Sequence, residues 1–316
     1  MIRYSLGIRV EPYQKPIQYK DKIALMGSCF TENIGKKLSD YYFNTMLNPN
    51  GIVFNPLSLA EPFTRQFNQI AYTENDLIQN NERWASWFHH GKFSNANKEI
   101  LLATINHEQK AFEKYISESQ WLIVTFGTAW VYHFLPDQLL VANCHKVAGQ
   151  QFKKRLLEVD EIVMCWQKVI AQLKAINPLL QIIFTVSPVK HLRDGVVENT
   201  LSKATLHLAI DKLVGDNVCY FPAYELVNDD LRDYRFYETD GAHPNAMAID
   251  YVFDKFCSSV VSKEANEIMA ALDAYNRLKH HRPLSDSESN QSFLHQKLEA
   301  KRMELITQFP ELKERL

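Results

Sequence analysis

Five short runs of apolar, β-favouring residues recur along the chain, at Ile23–Met26, Asn44–Leu47, Trp121–Phe126, Gln181–Val186 and Val218–Phe221. Continuous apolar runs of this length, without alternation, read as strands buried on both faces, as in parallel sheets covered by helices. The material between them has helical periodicity. Ile34, Leu38 and Tyr41 recur at i, i+4 and i+7 behind the first run. The clearest helix runs from Glu161 to Ile176, with Asp160 as its N-cap, an apolar stripe of Val163, Trp166, Ile170 and Leu173, and Asn177-Pro178 as its stop. Trp166 on that stripe reads as core. Alternating strands and helices predict an α/β fold: a three-layer α/β/α sandwich around a five-stranded parallel sheet.

Polar and turn-forming clusters follow each strand: Gly27-Ser28-Cys29, Asn48-Pro49-Asn50-Gly51, Gly127-Thr128, Ser187-Pro188 and Pro222-Ala223-Tyr224. All fall at strand carboxyl ends, where open α/β sheets bind ligands. Two segments break the alternation. Residues from about 56 to 120 are too long for one crossover and carry the aromatic cluster Trp84, Trp87, Phe88, His89, His90. Residues 130–142 read as a hairpin turning at Pro136-Asp137. Insertions of this kind wall a pocket or act as lids. Within the first, Trp84 is the candidate for core, and Trp87 or His90 for a pocket wall. The expected organisation is an α/β domain over 1–261 and a charged helical extension over 262–316. That tail is a helical hairpin broken at Arg282-Pro283 and the polar Ser285–Ser292 stretch, packed on the domain or on a partner.

Composition narrows the function. With 46% hydrophobic and 12% aromatic residues the chain can bury a substantial core. Lys and Arg (35) nearly balance Asp and Glu (37), with no basic run, which argues against nucleic acid. No apolar stretch has the length of a membrane span, and the polar Met1–Lys22 segment has no secretory pattern. The five cysteines are scattered without CxxC spacing, so neither a zinc ribbon nor a disulfide framework is expected, and the default compartment is the cytoplasm. His89, His90 and His145 match no HxH or HExxH pattern, so no metal site is expected.

The candidate chemistry lies in two places. Ser28 and Cys29 follow a strand and a turn-permitting glycine and open a helix, whose unpaired N–H groups and dipole favour a thiolate or an oxyanion. A thiol acidified below its free value is therefore expected at Cys29. Far downstream, Asp240-Gly241-Ala242-His243-Pro244 offers a base and an orienting carboxylate. Nucleophile, base and orienter are the three parts of covalent acyl chemistry.

Gly27-Ser28-Cys29-Phe30-Thr31-Glu32-Asn33-Ile34-Gly35 resembles the first block of the GDSL, or SGNH, hydrolases, and Asp240-x-x-His243 resembles their last. More closely, the chain resembles the GSCFA family, a branch of that superfamily. The phrases Asn48-Pro49-x-Gly51, Gly127-Thr128-Ala129-Trp130, Asn143-Cys144-His145-Lys146, Ser187-Pro188-Val189, His191-Leu192-Arg193-Asp194 and His281-Arg282-Pro283 carry the resemblance over nearly the whole length. It implies an SGNH-like, flavodoxin-like sandwich and an esterase or acyltransferase. A gapless match, with Thr31 and Gly35 in register, puts Cys29 where the superfamily has its serine nucleophile. Ser28 then reads as a polar turn residue at the helix start, and remains the alternative nucleophile. His243 is implied as base, Asp240 as orienter, and the N–H groups of Cys29 and Gly51 as the oxyanion hole. The superfamily's asparagine donor is replaced in Gly127-Thr128-Ala129-Trp130.

Thr128, Trp130, His90, His145, Lys146, His191 and Arg193 are candidate substrate contacts, with Lys146 and Arg193 suited to a carboxylate or phosphate. The expected substrate is a small-molecule, glycan or lipid ester such as an O-acylated saccharide. No cofactor is required, and coenzyme A thioester is a candidate acyl donor. The C-terminal helices are a candidate homo-oligomer contact. A second reading, from a different class, is a non-catalytic module binding carbohydrate or lipid through the aromatic insertion.

Overall fold

The computed structural model describes residues 5–280 and 288–316. Its centre is a parallel sheet of β1 (Lys22–Gly27), β2 (Asn44–Leu47), β6 (Trp121–Phe126), β10 (Gln181–Val186) and β11 (Val218–Tyr220). The spatial order is β11-β10-β6-β1-β2. All four pairings are parallel, and the register sets Leu25 opposite Leu47 and Ile123, and Ile123 opposite Ile183. These are the five apolar runs read from sequence. The chain order turns back on itself between β1 and β6, which creates the switch point where such sheets open a crevice at their carboxyl edge.

Alternate residues of each strand feed two cores. Ile23, Leu25, Ile123 and Ile183 face one core, with α1 (Cys29–Asp40) and α7 (Ala246–Val260) over it. Ala24, Met26, Val124 and Phe184 face the other, under α2 (Pro56–Asn68), α3 (Lys98–Ser117), α4 (Val159–Ile176) and α5 (Val196–Leu213). Trp166 is fully buried between Phe63, Phe126 and Phe184, as its stripe predicted. The start of α4 differs from expectation. Its cap is Glu158, not Asp160, because Glu158 and Glu161 exchange side-chain and backbone bonds in a capping box.

The first insertion holds α2, α3 and a small antiparallel sheet of β3 (Leu77–Asn80), β4 (Arg83–Ser86) and β5 (Ser94–Asn95). The hairpin is present as β7 (Trp130–Phe134) and β8 (Leu139–Val141). A third strand, β9 (Phe152–Leu156), pairs with β7 on its other edge. Its sequence Phe-Lys-Lys-Arg-Leu is too basic to stand out as a strand. After β11, α6 (Ala223–Glu225) runs on into a π-helical turn over Leu226–Leu231.

The tail is helical, as α8 (Lys263–Lys279) and α9 (Glu288–Gln308). Ile268, Leu272, Tyr275, Leu305 and Leu312 join the α1 and α7 core, and the Arg315 guanidinium donates to the Tyr19 carbonyl at 2.7 Å. The expected break at Arg282-Pro283, and the His281-Arg282-Pro283 phrase, lie outside the described residues. Among the described residues no helix is long and apolar enough to cross a membrane.

Candidate active site

β1 ends flush against β6 because residue 27 has no side chain. Gly27 has φ +145°, and a Cβ there would sit 2.5 Å from the Thr125 carbonyl oxygen. Its N–H donates to Asn48 Oδ1 at 2.9 Å, tying the turn to the end of β2. Ser28 is the N-cap of α1, its Oγ accepting from the Phe30 N–H at 3.3 Å and donating to Ser187 Oγ at 3.1 Å. It is 1% exposed. Cys29, the first residue of α1, is half-buried and lines a cleft of about 650 Å³ at the carboxyl edge of the sheet.

The thiol is not acidified as the sequence led us to expect. Burial pushes the Cys29 thiol up from its ordinary value. The N–H groups of Phe30 and Cys29 oppose this, Glu32 adds to it, and the more distant Lys203 charge opposes it. Desolvation of the anion thus outweighs the helix end. A thiol of this kind needs a base to take its proton as it reacts.

The base candidate shares the cleft. His243 lines it together with Cys29, and its Nδ1 lies 2.6 Å from Asp240 Oδ2. Asp240 Oδ1 accepts the N–H groups of Ala242 at 2.8 Å and His243 at 3.0 Å. These two N–H groups and the imidazole hold the Asp240 carboxyl down at about 2, so it is a carboxylate throughout the working range. That contact fixes the His243 proton on Nδ1 and leaves Nε2 as the acceptor. No direct hydrogen bond joins His243 to Cys29 among the described residues.

Thr128, Trp130, His145, Lys146, His191 and Arg193 all line the cleft, with Tyr132 and Phe152 of the small β7 sheet. His145 and Lys146 adopt left-handed φ values of 46° and 61°. This costly conformation is held by the His145 N–H donating to Asn143 Oδ1 at 2.9 Å and by His145 Nε2 lying 2.6 Å from the Ser86 carbonyl. Burial lowers His145 and takes His191 down to about 4, so His191 is neutral near pH 7. Asp194, the one carboxylate lining the cleft among the described residues, pairs with Lys154, whose Nζ lies 4.3 Å over the Trp130 ring.

Three expectations are corrected. The Gly51 N–H donates to the Asn48 carbonyl at 2.8 Å to close a tight turn, so it is not a free oxyanion donor, and Gly51 does not line the cleft. His90 is also off the cleft, because its Cβ packs against Gly51 and its N–H donates to the Asn50 carbonyl at 2.9 Å. The tryptophans differ from expectation. Trp87 is core rather than pocket wall, tilted against Phe134 and edge-on to Phe152, and Trp84 is half-buried at the margin of the same cluster beneath the Lys98 ammonium. His89 is buried between Ser86 Oγ and Asn50 Nδ2, and burial lowers it to about 3. Among the described residues no cluster of three His, Cys, Asp or Glu could hold a metal.

Sequence reading missed several residues here. Phe54 and Asn55 line the cleft where α2 begins. Lys203 is buried in the sheet's edge, its Nζ donating at 2.7 Å to the carbonyls of both Gly127 and Ser187. Its signal was available, since Asn199, Ser202, Lys203, Leu206 and Ile210 share the inward stripe of α5.

Among solved structures, the chain is similar to a carbohydrate esterase of family 3 from Talaromyces cellulolyticus, at 8% identity and a TM-score of 0.37 over 79% of this chain and 98% of that one. It is similar to an acetyl esterase mutant crystallised with acetate, at 8% identity and a TM-score of 0.36 over 80% and 99% of the two chains. An acetyl xylan esterase from the rumen bacterium Butyrivibrio proteoclasticus matches at 10% identity and a TM-score of 0.35, over 82% of this chain and 65% of that one. No curated protein matches the sequence. The model of the GSCFA family matches residues 22–256, from the first residue of β1 into α7 and so across the whole sheet and both halves of the cleft, and the chain belongs to the GSCFA family.

Proposed function

We propose that the protein is an acyl-ester enzyme, an esterase or acyltransferase, in which Cys29 is the nucleophile, His243 the base and Asp240 its orienter. One observation carries the reading: a formed Asp240–His243 pair opens onto the same cleft as a half-buried cysteine at a helix N-terminus. The neighbouring Ser28 is less suited to attack, because its hydroxyl is enclosed and occupied by Phe30 and Ser187.

The chemistry balances with these groups alone. His243 Nε2 takes the proton from Cys29 Sγ as the sulfur attacks the acyl carbonyl carbon, and the carbonyl π pair moves onto oxygen. The Cys29 N–H, at the open start of α1, is the donor assigned to that oxyanion, and the helix end favours the charge. Collapse breaks the ester C–O bond, and the leaving alkoxide takes the proton from His243. Water or a sugar hydroxyl then gives its proton to His243 and attacks the thioester carbonyl, the C–S bond breaks, and the released sulfur recovers that proton from His243. Trp130, Tyr132 and Phe152 offer flat apolar faces for a sugar ring or an acyl chain, and Lys146 and Arg193 offer cationic partners for a carboxylate or phosphate. A coenzyme A thioester remains a candidate donor.

The test is p-nitrophenyl acetate turnover and intact-mass detection of an acyl adduct, mapped by peptide because Cys144 also lines the cleft. An adduct on Cys29 that persists in Ser28→Ala supports the assignment, and an adduct lost only in Ser28→Ala would transfer the role to serine. The binding-module reading is favoured by the thiol being pushed up rather than down. It becomes the better one if neither turnover nor adduct appears.

A further inference from the structure

Lys203 is 2% exposed and is among the largest fully buried side chains of the protein. It sits on the inward face of α5, where its helical neighbours Leu206 and Ile210 are core. Its Nζ donates to the Gly127 and Ser187 carbonyls, the first residues beyond β6 and β10. Ser187 in turn accepts the Ser28 hydroxyl, so two residues, Ser187 and Ser28, link the amine to the nucleophile position at Cys29.

Among the described residues no carboxylate pairs with this amine. The titratable groups facing it are Cys29 from α1, His191 from the loop after β10, His207 from one turn further along α5, and the Tyr224 ring of α6 at 6.0 Å. Burying an ammonium without a counter-charge costs several kcal/mol, and a methionine would fill the same space without that cost. Two carbonyl acceptors satisfy two N–H bonds. A neutral amine is then complete, whereas an ammonium keeps one N–H without a partner among the described residues. The group is thus poised between two states, and burial bringing it down to about 7 agrees with that. Poised, desolvated ionisable groups beside a reactive side chain mark functional sites rather than stabilising ones.

We propose that Lys203 is a positioning residue of the acyl-transfer site: it acts through Cys29, its buried amine, linked to the start of α1 through Ser187 and Ser28, carrying when protonated a positive charge that favours ionisation of the thiol and the negative charge of the tetrahedral intermediate. The inference rests on Cys29 being the nucleophile. Of the charged side chains with the largest effect on Cys29, Glu32 and Lys203, only Lys203 favours the anion.

The experiment is the rate of Cys29 alkylation by iodoacetamide against pH, mapped by peptide, in the wild type and in Lys203→Met. In the wild type, two coupled groups give a profile broader than a single titration. In Lys203→Met the profile becomes a single titration with its midpoint raised, and the rate at neutral pH falls about tenfold, the size of one pKa unit. A folded Lys203→Met with an unchanged profile would overturn the proposal. Because methionine strands two buried carbonyls, the reciprocal measurement covers a variant that does not fold. The Lys203 amine, followed by NMR in protein labelled at lysine, titrates higher in Cys29→Asp, which sets an anion at the thiol's place while the amine titrates, than in the wild type, and equal midpoints would overturn the coupling. Ester turnover that persists in Cys29→Ala is read separately, and would remove the nucleophile assignment beneath the proposal.

Discussion

The two halves of the cleft are built on opposite principles. On the nucleophile side, Gly27, Ser28, Ser187 and Lys203 are enclosed by the ends of β1, β6 and β10, and almost every polar atom is committed to another part of the fold. On the base side, Asp240 and His243 stand on a loop with both side chains half exposed, and their bonds are mainly to each other. The buried half fixes position by sacrificing solvation, which is why the thiol is pushed up. The exposed half keeps its solvation and so keeps a carboxylate ready to orient an imidazole. In the proposed mechanism the labour divides between depth, at the cysteine, and access, at the histidine.

Substitutions on the two sides should therefore fail differently. The largest effect is expected from Cys29→Ala, which removes the covalent step. Turnover of p-nitrophenyl acetate should drop by at least about a thousandfold, the scale on which nucleophile deletions act. Retained turnover would remove Cys29 as the nucleophile and turn attention to its enclosed neighbour Ser28. His243→Ala should lower kcat/KM by about 10²- to 10⁴-fold, as loss of a general base does, with little change in melting temperature because the side chain is half exposed. A large drop in melting temperature would show that the base loop is structural after all. Asp240→Asn should cost less than His243→Ala and leave alkylation of Cys29 closer to wild type than turnover, because the carboxylate acts only through the imidazole.

Acid stability separates the halves further. His89 and His191 have an ordinary value of 6.5 and are lowered by burial to about 3 and about 4. The unfolded chain therefore binds protons that the folded one refuses, and stability falls as pH drops from about 6.5 toward those values. Each contributes a slope of about 1.4 kcal/mol per pH unit in that window. Chemical denaturation at pH 7 and pH 5 of the wild type and His89→Gln measures it, and equal pH slopes would show that His89 is not held neutral. The smallest effect is expected for Ser28→Ala, the loss of one helix cap at about 1 kcal/mol. Its melting temperature should fall by a few degrees with the Cys29 adduct intact.

The sheet was legible because its signal is local. Each central strand is a short apolar run, and three of the five match the observed bounds residue for residue. The pair Asp240 and His243 was legible for the same reason, being three residues apart. What escaped depends on contacts between distant segments. β9 is a strand because β7 offers it an edge, not because Phe-Lys-Lys-Arg-Leu prefers extension. Trp84 and Trp87 have the same composition signal, and only the β7 sheet decides which is core. Gly51 looked like an oxyanion donor until its N–H was seen closing a turn on Asn48. Lys203 hid in plain view, since a lysine on a helix is ordinarily read as solvent-facing.

The loop that carries the base is also nearly self-sufficient. Asp240 grips the imidazole, the backbone of His243 and that of Ala242, all within four residues. Its anchors to the rest of the molecule are backbone bonds from Glu238 to His243, Lys190 to Ala242 and Asn245 to Phe236. Of these only the bond from Lys190 comes from the sheet's edge. The pair therefore travels as a cassette, with its internal geometry set before it docks. Drift of the loop changes the reach from Nε2 to the thiol without disturbing tautomer or ring orientation. Evolution can retune that reach through the segment around Lys190 alone, leaving the cassette's own spelling untouched.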